Sequence, residues 1–165
     1  MKQRPSHVID CRLATLKDAP RLAEMSRDYI ETGLGWSWRA ERIARFITAG
    51  ESVVLCAIDG DGSPPIGFAV MEFHAEHAHL NLLAVDPDYR RRGVAARLLA
   101  WLEKTALIAG ISTVILEVRS NNDGARRFYA ERGYEQKVLL PRYYQGRESA
   151  YRLIKRLRPD FGSRA

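Results

Sequence analysis

One stretch constrains this chain more than any other: Leu82 to Ala96, which reads Leu-Leu-Ala-Val-Asp-Pro-Asp-Tyr-Arg-Arg-Arg-Gly-Val-Ala-Ala. An apolar run stops at Asp86-Pro87 and three consecutive arginines follow. Gly93 then opens a segment in which Val94, Leu98, Leu102 and Ala106 recur at helical spacing. The pattern predicts a strand, a basic loop and a helix in that order. A helix N-terminus carries about half a positive charge, so acidic residues are favoured there. Three cations at that end cost free energy unless an anion sits among them. Free backbone N–H groups, a glycine with no side chain in the way and small residues after it make a concave anion site. Two readings follow for Arg90, Arg91, Arg92, Gly93, Val94, Ala95 and Ala96: a cradle for phosphate or pyrophosphate, or a solvated basic loop. The stretch carries neither G-x-x-x-x-G-K-[ST] nor G-x-G-x-x-G, so it points to neither a P-loop nor a dinucleotide fold.

The net charge of +6 agrees with an anionic partner. The 165 residues suggest one domain over 1–165, and 46% apolar with 28% charged residues is the composition of a soluble globule. The longest uncharged run, Thr105 to Leu116, is too short to span a membrane, and Met1 to Asp10 has no signal-peptide core. Cys11 and Cys56 read as small buried hydrophobes, and a cytoplasmic location is expected.

Elsewhere the chain divides cleanly. His7 to Ala14 reads as a strand, and Thr15 or Asp18 caps a helix through about Glu31. A second helix runs from Trp38 to Thr48, with Gly50 as its stop. Strands follow at Ser52–Ile58, Gly67–Phe73 and His79–Val85, then the Gly93–Ala109 helix stopped by Gly110. Thr113–Val118 reads as a buried strand. Asn121 or Asn122 caps a helix through Arg132, Gly133 ends it, and Tyr134–Leu139 and Ala150–Leu157 close the pattern as strands. The order β-α-α-β-β-β-α-β-α-β-β predicts an α/β fold with helices covering a mixed sheet. The crossover between the strands ending at Val85 and Val118 predicts a parallel pair.

Two further residues could carry chemistry. Glu117 lies near the end of an apolar strand, where period-2 alternation points it with Ile115 and Thr113. A carboxylate there must be paired or face a cleft. It is either a general base or a salt-bridge partner, Arg119 being one option. Phe128 and Tyr129 are ~100° apart on their helix, so one can plug the core while the other points toward a cleft. A tyrosine so placed can serve as general acid, or it is structural.

Taken together these segments resemble the GNAT superfamily of N-acetyltransferases. Arg90-x-x-Gly93-x-Ala95 matches the superfamily's Q/R-x-x-G-x-G/A signature. Ala84 to Gly93 resembles the A-V-D-P-x-Y-Q-R-x-G run of ribosomal-protein alanine N-acetyltransferases. Leu116 to Arg119, Asn122, Tyr129 and Gly133-Tyr134 match that group's next block, and Tyr143-Tyr144 with Gly146-Arg147-Glu148 a third. The resemblance implies a central, mostly antiparallel mixed sheet with one splayed parallel pair and helices on both faces. It implies acetyl-CoA as cosubstrate, its pyrophosphate on Arg91 to Ala96 and its pantetheine arm on Leu83, Ala84 and Val85, with Asn122 as a further contact. A backbone N–H near Leu83 becomes the oxyanion donor. Glu117 becomes the general base and Tyr129 the acid that protonates the departing thiolate. Direct attack by the amine needs no enzyme nucleophile, and the sequence offers no Cys/His or Ser/His pair.

The match departs in three places. Ala95 replaces the commoner glycine and Ala96 a frequent arginine, whose role toward phosphate would fall to Arg97. The segment between Tyr143 and Arg147 is shorter. Gly33-Leu34-Gly35-Trp36-Ser37-Trp38 does not resemble that group's acceptor loop. The acceptor amine is then a protein N-terminus, a small molecule or an aminoacyl-tRNA; other nucleic-acid roles are not expected, and a homodimer is compatible with the sequence. Trp36 is expected to wall the acceptor side. His74, His77 and His79 read as structural or solvent-facing, with no metal site. A non-catalytic acyl-CoA sensor is the alternative; Glu117 and Tyr129 argue against it, since a binder needs neither.

Overall fold

The computed structural model describes residues 8–158. Its seven strands are β1 (Ile9–Leu13), β2 (Ser52–Asp59), β3 (Pro65–Phe73), β4 (Ala78–Val85), β5 (Thr113–Arg119), β6 (Glu135–Tyr144) and β7 (Glu148–Arg156). The helices are α1 (Ala19–Met25), α2 (Ala40–Thr48), α3 (Val94–Ile108) and α4 (Asp123–Glu131). The order is the one expected, and the sheet runs β1-β2-β3-β4-β5-β7-β6. β1–β2, β5–β7 and β6–β7 are antiparallel, and β4–β5 is parallel, as the crossover requires. Of β4 and β5, Ala78, His79 and Leu80 pair with Val114, Ile115 and Leu116, while each strand continues beyond its paired residues.

By contact the described residues form two compact units. The first holds those up to Val70 with Leu82–Ala100, and the second Met71–Asn81 with those from Trp101 on. In the first, Leu22 and Met25 of α1 and Ile43 of α2 pack with Cys56, Phe68 and Val70. Gly67, next to Phe68, points the other way. A Cβ there would lie 3.2 Å from the Ala84 carbonyl and from Val94 of α3, so only glycine lets α3 approach this closely. Helices therefore cover both faces of this part of the sheet.

The helix read from Thr15 to Glu31 is a short 3₁₀ turn (Leu16–Asp18), α1, and a π-helical turn (Ser26–Ile30). Buried Asp18 anchors its start. It accepts two bonds from Arg12, at 2.7 and 2.9 Å, and one from the Thr15 N–H at 2.7 Å. Arg12 holds the Asp18 carboxyl below its ordinary value despite burial.

Three expectations need correction, and one falls outside the structure. His7, placed in the first strand, lies outside the described residues. α2 ends in an extended Ala49, and Gly50 is not among the left-handed glycines, unlike Gly110 (φ 82°) and Gly133 (φ 88°). Cys56 is fully buried, and burial pushes its thiol up to about 12, but Cys11 is only half-buried. β6 runs on past Leu139 to Tyr144 through Pro141. It is an edge strand, where a residue without an N–H is tolerated, and it carries two irregularities against β7.

Candidate active site

In the first unit, β4 leads through a 3₁₀ turn (Pro87–Tyr89) into α3. The Asp86 side chain accepts from the Asp88 N–H at 3.0 Å and lies 3.5 Å from Arg21. The Tyr89 hydroxyl donates to Asp59 at 3.0 Å. These bonds fix the start of the loop. Arg91 (φ 62°) and Gly93 (φ 74°) both adopt left-handed backbone. For arginine that conformation is disfavoured, and such strain clusters at binding sites. A Cβ on Gly93 would meet nothing within 4 Å, so the backbone is approachable there. Arg90, Arg91 and Arg92 are exposed, and the first turn of α3 contains no acidic residue. The first turn of α3 thus offers these arginines no carboxylate, as a polyanion site needs. Leu83 and Val85 are half-buried and alternate with buried Leu82 and Ala84.

Arg97, the residue to which the phosphate role of the arginine replaced by Ala96 would fall, has partners near the start of the chain. Its guanidinium donates to the Ile9 carbonyl and lies 4.0 Å from Asp10. Trp36 is also engaged within the first unit. Its indole N–H is shared between the Ala23 and Trp38 carbonyls, both at 3.2 Å, and Arg27 and Arg39 lie 5.1 and 4.7 Å from its ring. Buried Glu31 organises this segment, accepting from Ser26 Oγ at 3.0 Å, Ser37 N at 2.7 Å and Ser37 Oγ at 2.5 Å.

The second unit holds the titratable cluster. β5 alternates as expected, with Val114, Leu116 and Val118 buried on one face and Glu117 on the other. The Glu117 side chain is only 7% exposed. Its salt-bridge partner is Arg152, directly opposite on β7, and not Arg119, which lies 3.4 Å from Glu148. Arg152 places Nε and Nη2 at 3.1 and 3.0 Å from Oε1. The other oxygen, Oε2, lies 2.5 Å from His79 Nε2. Burial favours the neutral acid, but His79 and then Arg152 outweigh it, so the Glu117 carboxyl titrates below its ordinary value. Burial pulls His79 down, and Glu117 overrides it, leaving the imidazole above its ordinary 6.5.

His79 is the residue that sequence reading misses. Its ring bonds through Nδ1 to Asn81 Oδ1, and the Asn81 amide donates to Glu72 at 2.5 Å. His74 and His77 instead stack on each other at 4.7 Å. Among the described residues no His/Cys/Asp/Glu group is arranged to hold a metal.

Tyr129 is the buried member of its pair, at 8% exposure, while Phe128 lies under Arg132. The Tyr129 ring meets Phe128 and Tyr134 edge-on, at 5.1 and 5.5 Å. Burial and then the nearby Tyr144 raise its phenol above the ordinary value, so it stays protonated at neutral pH. Tyr144 is raised by burial, then by Tyr143 and Glu117. Asn122 caps α4, accepting from the Ala125 N–H at 3.1 Å, and is exposed.

The GNAT acetyltransferase family model matches residues 19–134, and the chain belongs to that family. An uncharacterized N-acetyltransferase of Methanocaldococcus jannaschii is 37% identical over 92 residues, which is 55% of this chain and 59% of that protein. The [ribosomal protein bS18]-alanine N-acetyltransferase of Escherichia coli K12 is 36% identical over 86 residues, 50% of this chain and 58% of that one. The chain thus spans somewhat over half the length of these curated relatives. Arabidopsis thaliana NAA60, solved in complex with acetyl-CoA, shares the fold at TM-score 0.77 and 21% identity, covering 90% of this chain and 98% of that one. Among the described residues no helix is long and apolar enough to cross a membrane.

Proposed function

We propose that the chain is an acetyl-CoA-dependent N-acetyltransferase that moves the acetyl group to a primary amine by direct attack. The observation that carries this reading is the loop from Arg90 to Ala96. It combines left-handed Arg91 and Gly93, open space before Gly93 and a helix start without acidic residues. Those features suit a pyrophosphate held by backbone N–H groups of Arg91 to Ala96, with the three arginines supplying charge. Leu83, Ala84 and Val85 offer backbone groups to the pantetheine arm, and Asn122 is assigned a further contact. Acetyl-CoA supplies an activated thioester.

Glu117 takes a proton from the acceptor ammonium, and Tyr129, protonated at neutral pH, gives one to the departing thiolate. A backbone N–H near Leu83 is assigned the role of oxyanion donor. The Escherichia coli relative is named for an alanine of a ribosomal protein, so protein N-termini are the first acceptor class to try, before small amines and aminoacyl-tRNA.

Tyr129→Phe tests the assignment. It should lower kcat ~10²-fold or more while acetyl-CoA affinity stays within about twofold. A large loss of affinity with kcat intact would remove Tyr129 from the acid role.

A further inference from the structure

Glu117 is a carboxylate flanked by two cations, with its affinity for protons lowered by both. A group so placed is a poor store for a proton taken from an ammonium. The side chains around it indicate where that proton goes.

Orientation is fixed from the far end. Glu72 is a carboxylate and only accepts, so the Asn81 Nδ2 that lies 2.5 Å from it must be the donating amide nitrogen. Asn81 Oδ1 therefore faces His79 Nδ1, and Nδ1 must carry hydrogen. The remaining ring nitrogen, Nε2, faces Glu117 Oε2 at 2.5 Å. Two bare lone pairs repel at that distance, so a proton lies between them: this geometry is that of the loaded pair, which must release its proton to solvent before it can take the next. Arg152 occupies Oε1 twice, which leaves one lone pair free on Oε2, the oxygen that also touches His79.

We propose that His79 holds the proton surrendered by the acceptor amine, with Glu117 Oε2 as the conduit and the Glu72–Asn81 pair as the lock on the imidazole tautomer. The inference rests on the transferase reading. Acyl transfer from a thioester to an ammonium yields amide, thiol and one proton. That proton leaves the ammonium for Oε2, directly or through one water, and a proton passes from Oε2 to Nε2. Neutral imidazole becomes imidazolium, Glu117 stays ionised, and the amine lone pair is free to attack. Nδ1–H keeps its bond to Asn81 throughout. The His79 side chain is 25% exposed, so the proton has a route to solvent. His79 acts through Glu117 and is a positioning, proton-holding residue, as a carboxylate–imidazole pair titrates as one unit.

The groups facing this pair come from four other elements. Glu72 approaches from β3, His77 from the turn between β3 and β4, Tyr143 and Tyr144 from β6 and Arg152 from β7. The carboxylates on either side of the ring keep its proton bound to higher pH than an ordinary imidazole.

The test is the pH dependence of kcat/KM together with ring ¹⁵N shifts of histidine-labelled protein. In the wild type the acidic limb should have its midpoint above 6.5 and follow the His79 titration. Neutral His79 should carry hydrogen on Nδ1. His79→Gln should lower kcat/KM by ~10- to 100-fold and move the limb down toward carboxylate values. Glu72→Gln, which is isosteric, frees the amide to flip. It should move the limb toward 6.5 and mix the two tautomers. Turnover with an acidic limb unmoved in both variants, or a neutral His79 protonated on Nε2, overturns the inference alone. Acetyl-CoA binding with no turnover on any amine overturns the transferase reading and this inference with it.

Discussion

The arginine loop of the first unit and the Glu117 cluster of the second handle charge in opposite ways. Arg90, Arg91 and Arg92 are exposed and crowd a helix end that repels them, with no acidic residue in the first turn of α3. Glu117 is buried and neutralised twice over, by Arg152 and His79. The loop relies on backbone, held left-handed at Arg91 and Gly93. The cluster relies on side chains held in register by β4, β5 and β7. A site completed by an incoming polyanion has to leave charge uncompensated. A site that moves protons has to hold its charges close and nearly balanced, so that one proton tips them. The two regions should therefore fail under different perturbations.

The largest effect is expected in the cluster. Glu117→Gln keeps shape and removes the base; kcat should fall ~10²-fold or more, with acetyl-CoA affinity by calorimetry unchanged. Equal losses in affinity and kcat would erase the distinction between the regions. Next comes the loop backbone. Gly93→Val forces a β-branched residue to φ 74°, at a cost of about 1–3 kcal/mol. Acetyl-CoA affinity should drop about 10- to 100-fold, whereas Arg91→Ala and Arg92→Ala should each lose less and flatten the salt dependence.

The pair also bears on stability. Glu117 has a lowered value in the fold, so its contribution is present above 4.5 and lost as pH falls through that lowered value. His79 has a raised value, so its contribution is present below 6.5 and lost as pH climbs through the raised value. The wild-type Tm should fall by a few degrees from pH 6.5 to 9, and His79→Gln should abolish that part of the fall. The smallest effect is Asn122→Ala, which removes the α4 cap at about 1 kcal/mol by denaturant titration.

Much of the fold is legible in the sequence because its signals are local. The alternation in β5, the Asn122 cap and the left-handed Gly110 and Gly133 each declare themselves within a few residues. The strand–loop–helix at Leu82–Ala96 is readable for the same reason. The sequence reading ends β6 at Leu139, whereas the strand runs on through Pro141, whose place at the sheet edge makes the proline harmless.

The Glu117 environment is not legible in that way. Arg152 and His79 lie 35 and 38 residues away along the chain, and strand pairing alone brings them in. Arg119, the near neighbour in sequence, is drawn to Glu148 instead. A signal does exist in β4: His79 and Asn81 are polar residues two apart on a strand whose alternate positions are buried. Read with Glu72, that spacing marks a polar face that needs partners.

The measurement that bears most directly on the central claim is calorimetric titration with acetyl-CoA, followed by thiol release over a panel of short N-terminal peptides and small amines. The account predicts saturable binding that Gly93→Val weakens, and thiol release matched mole for mole by N-acetylated product. No binding of acetyl-CoA or any other acyl-CoA would contradict the reading of Arg90 to Ala96 on which the proposed function stands.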